Sequence, residues 1–178
     1  MNSQVFKNVI SAYHAYRFSR MFGLNVAGNN GIDLLGKDLG IELKCRSDRW
    51  HLTWPVHYEQ VDKFPSQQPD KTLYWAFLLY NFRTPVSTLD PGTPLHHLGL
   101  YVRNPQVWFL PWDWIRPFPV SRTPKASYIY VHRGDLPPSL DFQSVTRNEY
   151  QLHLPKGLDL ERLVQRESQP AKLYRLKV

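Results

Sequence analysis

Gly31-Ile32-Asp33-Leu34-Leu35-Gly36-Lys37-Asp38-Leu39-Gly40-Ile41-Glu42-Leu43-Lys44-Cys45-Arg46 is the stretch on which the fold turns. Two short runs, 31–35 and 41–46, flank a Gly36-Lys37-Asp38-Leu39-Gly40 turn, which is the pattern of a β-hairpin. Side chains alternate along a strand, so Ile41, Leu43 and Cys45 form an apolar face for the core while Glu42, Lys44 and Arg46 line the other. A symmetric turn places Leu35 opposite Gly40 and Asp33 opposite Glu42, with Cβ atoms about 4.5–5.5 Å apart. Opposed like charges cost free energy unless a counter-charge lies between them, and a hard divalent cation with oxygen ligands is the natural candidate. Lys44, one side chain further along the same face, can orient a water or stabilise charge developing on a phosphate under attack. The same residues also suit an exposed hairpin in which Asp33, Glu42, Lys44 and Arg46 form a solvated salt-bridge ladder.

Outward from the hairpin, Ser3 can cap a helix whose Phe6, Val9, Ile10, Tyr13, Tyr16 and Arg17 recur at three- and four-residue steps and which Gly23 can end. After the hairpin, Val56 to Phe64 reads as a short helix begun near Pro55. Thr72 to Tyr80 reads as a buried central strand, and Gln106 to Leu110 as a further strand. Shorter strands are expected at Tyr128 to His132 and Leu173 to Lys177. This order of elements indicates an α/β or α+β domain with a central mixed sheet flanked by helices. No repeat or flexible linker divides the 178 residues, so one domain is expected over 1–178, with a core of about 3–115 and a basic, loop-rich extension from 116 to 178.

Lysine and arginine number 22 against 15 acids, a net charge of +7, which favours a polyanion such as nucleic acid as partner. The first 32 residues hold no acid, residues 33–98 carry seven basic and eight acidic side chains, and residues 99–178 carry twelve and seven. Acids are therefore densest in the middle, the pattern of a small acidic site within an anion-attracting surface. Cys45 is the single cysteine, which excludes an intrachain disulfide and a cysteine-rich zinc site and points to a reducing, cytoplasmic setting. The longest apolar run, Leu73 to Tyr80, is far short of a membrane span, and the N-terminus lacks a signal core.

Gly31-Ile32-Asp33, eight intervening residues and then Glu42-Leu43-Lys44 after a turn, with a helix before and another after, resembles the PD-(D/E)xK nuclease superfamily of restriction, homing and junction-resolving enzymes. The resemblance covers about residues 3–115 as an order of elements and the hairpin as residues. It implies a restriction-endonuclease-like core, Asp33 and Glu42 as ligands of Mg2+ (with Mn2+ as a substitute), the Leu43 carbonyl as a further ligand, and Lys44 as the catalytic lysine. It also implies hydrolysis of phosphodiester bonds in double-stranded DNA by a homodimer or higher two-fold oligomer, of the restriction or homing type or as a Holliday-junction resolvase. Ile32 stands where the motif name has proline, and the glutamate that many members contribute from the first helix has no counterpart in residues 1–32. Gln4 on that helix and Gln60 on the next are the polar candidates for an auxiliary place.

Arg46 and Arg49 beside the hairpin, and Arg116, Arg122, Lys125 and Arg133 further on, are expected to contact phosphates. The run Trp108-Phe109-Leu110-Pro111-Trp112-Asp113-Trp114 fits core packing better than stacking on unpaired bases. His96-His97 reads as a loop pair, and His57 as a solvent-facing residue at a helix start. No P-loop, GxGxxG, GxSxG or paired CxxC occurs, which removes the commonest nucleotide, acyl-transfer and zinc hypotheses. A nucleic-acid-binding module without catalysis, or a protein-docking role for the aromatic loop, are the competing classes.

Overall fold

The computed structural model describes residues 3–27, 31–48, 52–82, 95–137, 142–147 and 150–155. The chain forms α1 (Ser3–Phe22), β1 (Asn25–Val26), β2 (Leu34–Leu35), β3 (Leu39–Ser47), β4 (Thr53–His57), α2 (Tyr58–Gln67) and β5 (Thr72–Phe82). After a short 3-10 helix at Leu95–Leu100 come β6 (Val102–Pro111), a 3-10 turn at Trp112–Ile115, β7 (Val120–Arg122) and β8 (Ser127–His132). A 3-10 turn at Arg133–Asp135, β9 (Phe142–Arg147) and β10 (Tyr150–Pro155) follow. The fold is α+β: a seven-stranded mixed sheet in the order β1-β2-β3-β5-β6-β10-β9, and a three-stranded antiparallel sheet in the order β4-β8-β7.

The helix at Ser3–Phe22 covers one face of the large sheet. Its Ile10, Tyr13, Phe18 and Phe22 are buried against Ile41 and Leu43 of β3, alternate residues of β5, and Tyr150. Gly23 ends it with φ 66°, and the Leu24 N–H reaches back to the Ser19 carbonyl at 3.0 Å. That left-handed residue with a bond spanning five positions is the closure for which glycine is favoured. The opposite face of the sheet packs on β4, β8 and α2, through Trp54, Val56, Val61, Phe64, Ile129 and Val131 against Trp75, Phe77 and Trp108.

The parallel pair β3 and β5 needs a crossover, and β4 with α2 supplies it on the face that carries Glu42 and Lys44. The expected helix from Val56 starts two residues later than its sequence suggests, because Thr53–His57 is a strand with Trp54 and Val56 buried and Pro55 and His57 exposed. Pro55 is compatible with that strand because β4 lies at the edge of its sheet. Pro105 lies within β6, where the pairing with β5 shifts register between Leu79 and Asn81, the irregularity that admits a proline in a central strand. The run from 116 onward, expected to be loop-rich, carries β7 to β10 over its described part. A strand at Leu173 to Lys177 falls outside the described residues. Among the described residues no helix is long and apolar enough to cross a membrane.

Candidate active site

The hairpin register places Leu35 beside Gly40 and Leu34 beside Ile41. Its turn closes through the Gly36 N–H to the Leu39 carbonyl at 2.7 Å. Lys71, just before β5, clamps the turn by donating to the carbonyls of Gly36 at 2.8 Å and Lys37 at 2.6 Å. Gly40 leaves no room for a side chain: a Cβ there would lie 2.7 Å from a methyl of Leu73.

Regular pairing stops at Leu34, and the polar cluster begins where it stops. In an antiparallel ladder the bonded pairs alternate, so after Leu34 and Ile41 the Leu43 amide would next meet the backbone of Ile32. Instead the Leu43 N–H donates to the Asp33 carboxylate, at 2.7 Å to Oδ2. The Asp33 N–H in turn donates to Glu42 Oε2 at 3.2 Å. A strand residue directs its N–H and C=O toward the same edge, so the Leu43 carbonyl faces the open edge beside Asp33. The hairpin thus brings the Asp33 and Glu42 carboxylates to one place, each accepting a main-chain N–H from the opposite strand.

Lys44 Nζ lies 2.7 Å from Glu42 Oε1 and 3.0 Å from Gln60 Oε1, and Gln60 Nε2 donates to Glu42 Oε1 at 3.2 Å. These three side chains close a triangle. Gln60 comes from α2, which places it at the site without any acid from the first helix. The ammonium also sits 5.9 Å from the centre of the Trp75 ring, whose residue pairs with Glu42 across the sheet. Glu42 is 3% exposed, while the Lys44 side chain retains 17%. Glu42 is thus enclosed, while Asp33, Lys44 and Gln60 are half-buried around it.

Two carboxylates against one ammonium leave a surplus negative charge in a site removed from water. Burial and then the Glu42 charge hold the Asp33 carboxyl far above the usual carboxylate range, although the Leu43 amide and Lys44 pull it down. The donor set fits a hard divalent ion: magnesium is commonly held by one or two carboxylates while keeping several waters. Among the described residues no group of three or more His, Cys, Asp or Glu converges, so any further ligands would be main-chain oxygen or water.

The remaining predicted residues divide. Arg46 lies on β3 on the face of Glu42 and Lys44, two residues beyond the lysine, and is half-buried. Gln4 is in the first turn of α1, and Arg49 lies outside the described residues. Arg116 is tied to Asp113 at 2.5 Å and Asp62 at 2.8 Å, so its charge is already answered by two carboxylates. Arg133 stacks on the Trp108 ring at 4.3 Å. Arg122 and Lys125 are exposed at the hairpin joining β7 to β8. Trp108 and Trp112 are buried and the Trp75 and Trp112 rings stack at 4.0 Å, as core packing requires. His97 is exposed in the 3-10 helix at Leu95–Leu100. Lys71 and Trp75 have structural parts in the site that no sequence pattern marks.

No protein-family model, curated protein or solved structure matches this chain.

Proposed function

We propose that the Asp33, Glu42 and Lys44 cluster is the active site of a magnesium-dependent endonuclease of the PD-(D/E)xK type, acting on DNA. The observation that carries this reading is the interruption of the hairpin at Asp33, which sets its carboxylate against Glu42 with Lys44 2.7 Å from the latter. Asp33, Glu42 and the Leu43 carbonyl would hold the ion. Bound there, magnesium would neutralise the carboxylates and polarise the scissile phosphate. Lys44, half-buried beside Glu42, would orient the attacking water and answer the charge that builds on the phosphate. Gln60 uses both ends of its amide to fix Lys44 against Glu42. Water forms a bond to phosphorus as the bond to the 3′-oxygen breaks, leaving a 5′-phosphate and a 3′-hydroxyl. Cutting both strands of a duplex requires two such sites of opposite polarity, which a two-fold homo-oligomer would supply.

Incubation with plasmid, four-way junctions and a randomised duplex library, with magnesium or with chelator, tests the reading. Metal-dependent cleavage of any of these that is lost in Lys44→Ala while DNA binding persists supports it. Cleavage undiminished in that variant would defeat the assignment. A binding module without catalysis is the second reading, favoured by the absence of any acid from α1. It predicts salt-sensitive DNA binding and no cut product with any substrate.

A further inference from the structure

The three-stranded sheet buries one face and leaves the other open. On the open face, His57 and Tyr128 lie opposite each other with ring centres 4.6 Å apart. Tyr130 follows on the same strand, 6.0 Å from Tyr128 with ring planes 31° apart, and is 41% exposed. The row ends at a pocket of about 390 Å³ walled by Phe118, Pro119 and Tyr130, with Ser121, His132 and Asp135 as its polar groups. At the other end of β8, the hairpin to β7 carries exposed Arg122 and Lys125, and no acid occurs between Asp113 and Asp135.

We infer that this face is a stacking platform for a single-stranded segment of DNA about three nucleotides long, distinct from the cleavage site. Tyr128 to His132 spans two side-chain repeats of a strand, about 13 Å, which matches a short unstacked run of nucleotides. The faces of bases within a duplex are covered by their neighbours, so the exposed Tyr130 ring and the half-buried Tyr128 ring beside it select unpaired bases. The charges give the segment a direction. Arg122 and Lys125 suit phosphates at the hairpin end. Asp135 repels a phosphate but accepts a hydrogen bond from a base amino group, so the pocket suits a base. One Asp135 oxygen already accepts the His132 N–H at 2.6 Å, which holds the carboxylate in place. Only two residues, Tyr58 and Glu59, separate His57, at the near edge of the platform, from Gln60 in the proposed catalytic cluster. The platform thus rests on the reading of the protein as acting on DNA, and favours substrates with unpaired nucleotides, such as flaps and junctions.

Fluorescence anisotropy with a labelled twelve-nucleotide oligodeoxyadenylate, whose bases carry an amino group, and its duplex with oligothymidylate, both in chelator, tests this apart from cleavage. The wild-type chain and Lys44→Ala should bind the single strand alike, and more tightly than the duplex. The double variant Tyr128→Ala/Tyr130→Ala should weaken single-strand binding at least about ten-fold with little change for the duplex, while Tyr128→Phe/Tyr130→Phe restores it. Loss of cleavage in Lys44→Ala bears only on the catalytic reading. Equal or tighter duplex binding by the wild type, or alanine variants that bind the single strand unchanged, would overturn the platform. So would a wild-type dimer, seen by sedimentation, that the alanine pair dissociates while oligonucleotide binding survives, because the face would then be a protein contact.

Discussion

Each face of the seven-stranded sheet buries a polar cluster, and the two are handled in opposite ways. Beneath α1, His14 Nδ1 and the Tyr150 hydroxyl share a hydrogen bond of 2.7 Å, with the imidazole ringed by Tyr13, Tyr80 and Tyr150. Burial, and secondarily Arg17, lowers the His14 pKa to about 3, so the pair is neutral over the physiological range. On the other face, Asp33 and Glu42 keep more negative charge than Lys44 can balance. A neutral pair is what a core tolerates, even though only Nδ1 of His14 is hydrogen-bonded and its buried Nε2 has no partner among the described residues. A surplus of buried charge is what a core avoids unless a ligand completes it, which is why the second cluster reads as a site and the first as structure.

The largest contrast should come from removing one charged or polar partner in each. Lys44→Ala should lower cleavage by about a hundred-fold or more, the scale of losing one electrostatic group at a reacting centre, read by single-turnover cleavage assays. Tyr150→Phe should leave cleavage by the folded protein intact and cost about 1–3 kcal/mol of stability, because His14 loses its buried partner; urea titration reads that loss.

The pH response sharpens the contrast, since the two clusters slope in opposite directions. His14 has a depressed pKa in the folded state, so its contribution to stability falls as pH drops from 6.5 toward 3. Asp33 has a raised one, so without metal its contribution is present at acid pH and is lost as pH rises through about 7. Denaturation profiles of Asp33→Asn should therefore show a stability maximum moved to higher pH relative to the wild type. An unmoved maximum would remove the argument from buried surplus charge. Smaller effects belong to the supports. Gln60→Ala should slow cleavage about ten-fold, less than Lys44→Ala, because the Lys44–Glu42 contact remains. Lys71→Ala should cost about 1 kcal/mol by freeing the hairpin turn.

The hairpin of the candidate site was legible in sequence because its information is local: the turn sets the register, and alternation then assigns Glu42 and Lys44 to one face and Ile41 and Leu43 to the other. Helix α1 was legible for the same reason, through its three- and four-residue apolar steps. β4 was hidden because Pro55 imitates a helix start, and only the pairing with β8, more than 70 residues on, makes Thr53–His57 a strand. β10 likewise depends on its parallel neighbour β6. The pairing of Arg116 with Asp62 spans 54 residues and leaves no local trace, so an arginine that looked available for phosphate is already engaged. The ring face of Tyr128 and Tyr130 leaves no local signal, because only the pairing of β8 with β4 and β7 sets which side of that strand stays open.

The most direct test is the thermal midpoint of the wild type and of Asp33→Asn at pH 8, each in chelator and in millimolar magnesium. Magnesium should raise the wild-type midpoint by a few degrees and leave Asp33→Asn unmoved, with the variant in chelator melting above the wild type in chelator. A wild-type midpoint indifferent to magnesium, together with a variant no more stable than its parent, would contradict a cation-completed pair of opposed carboxylates.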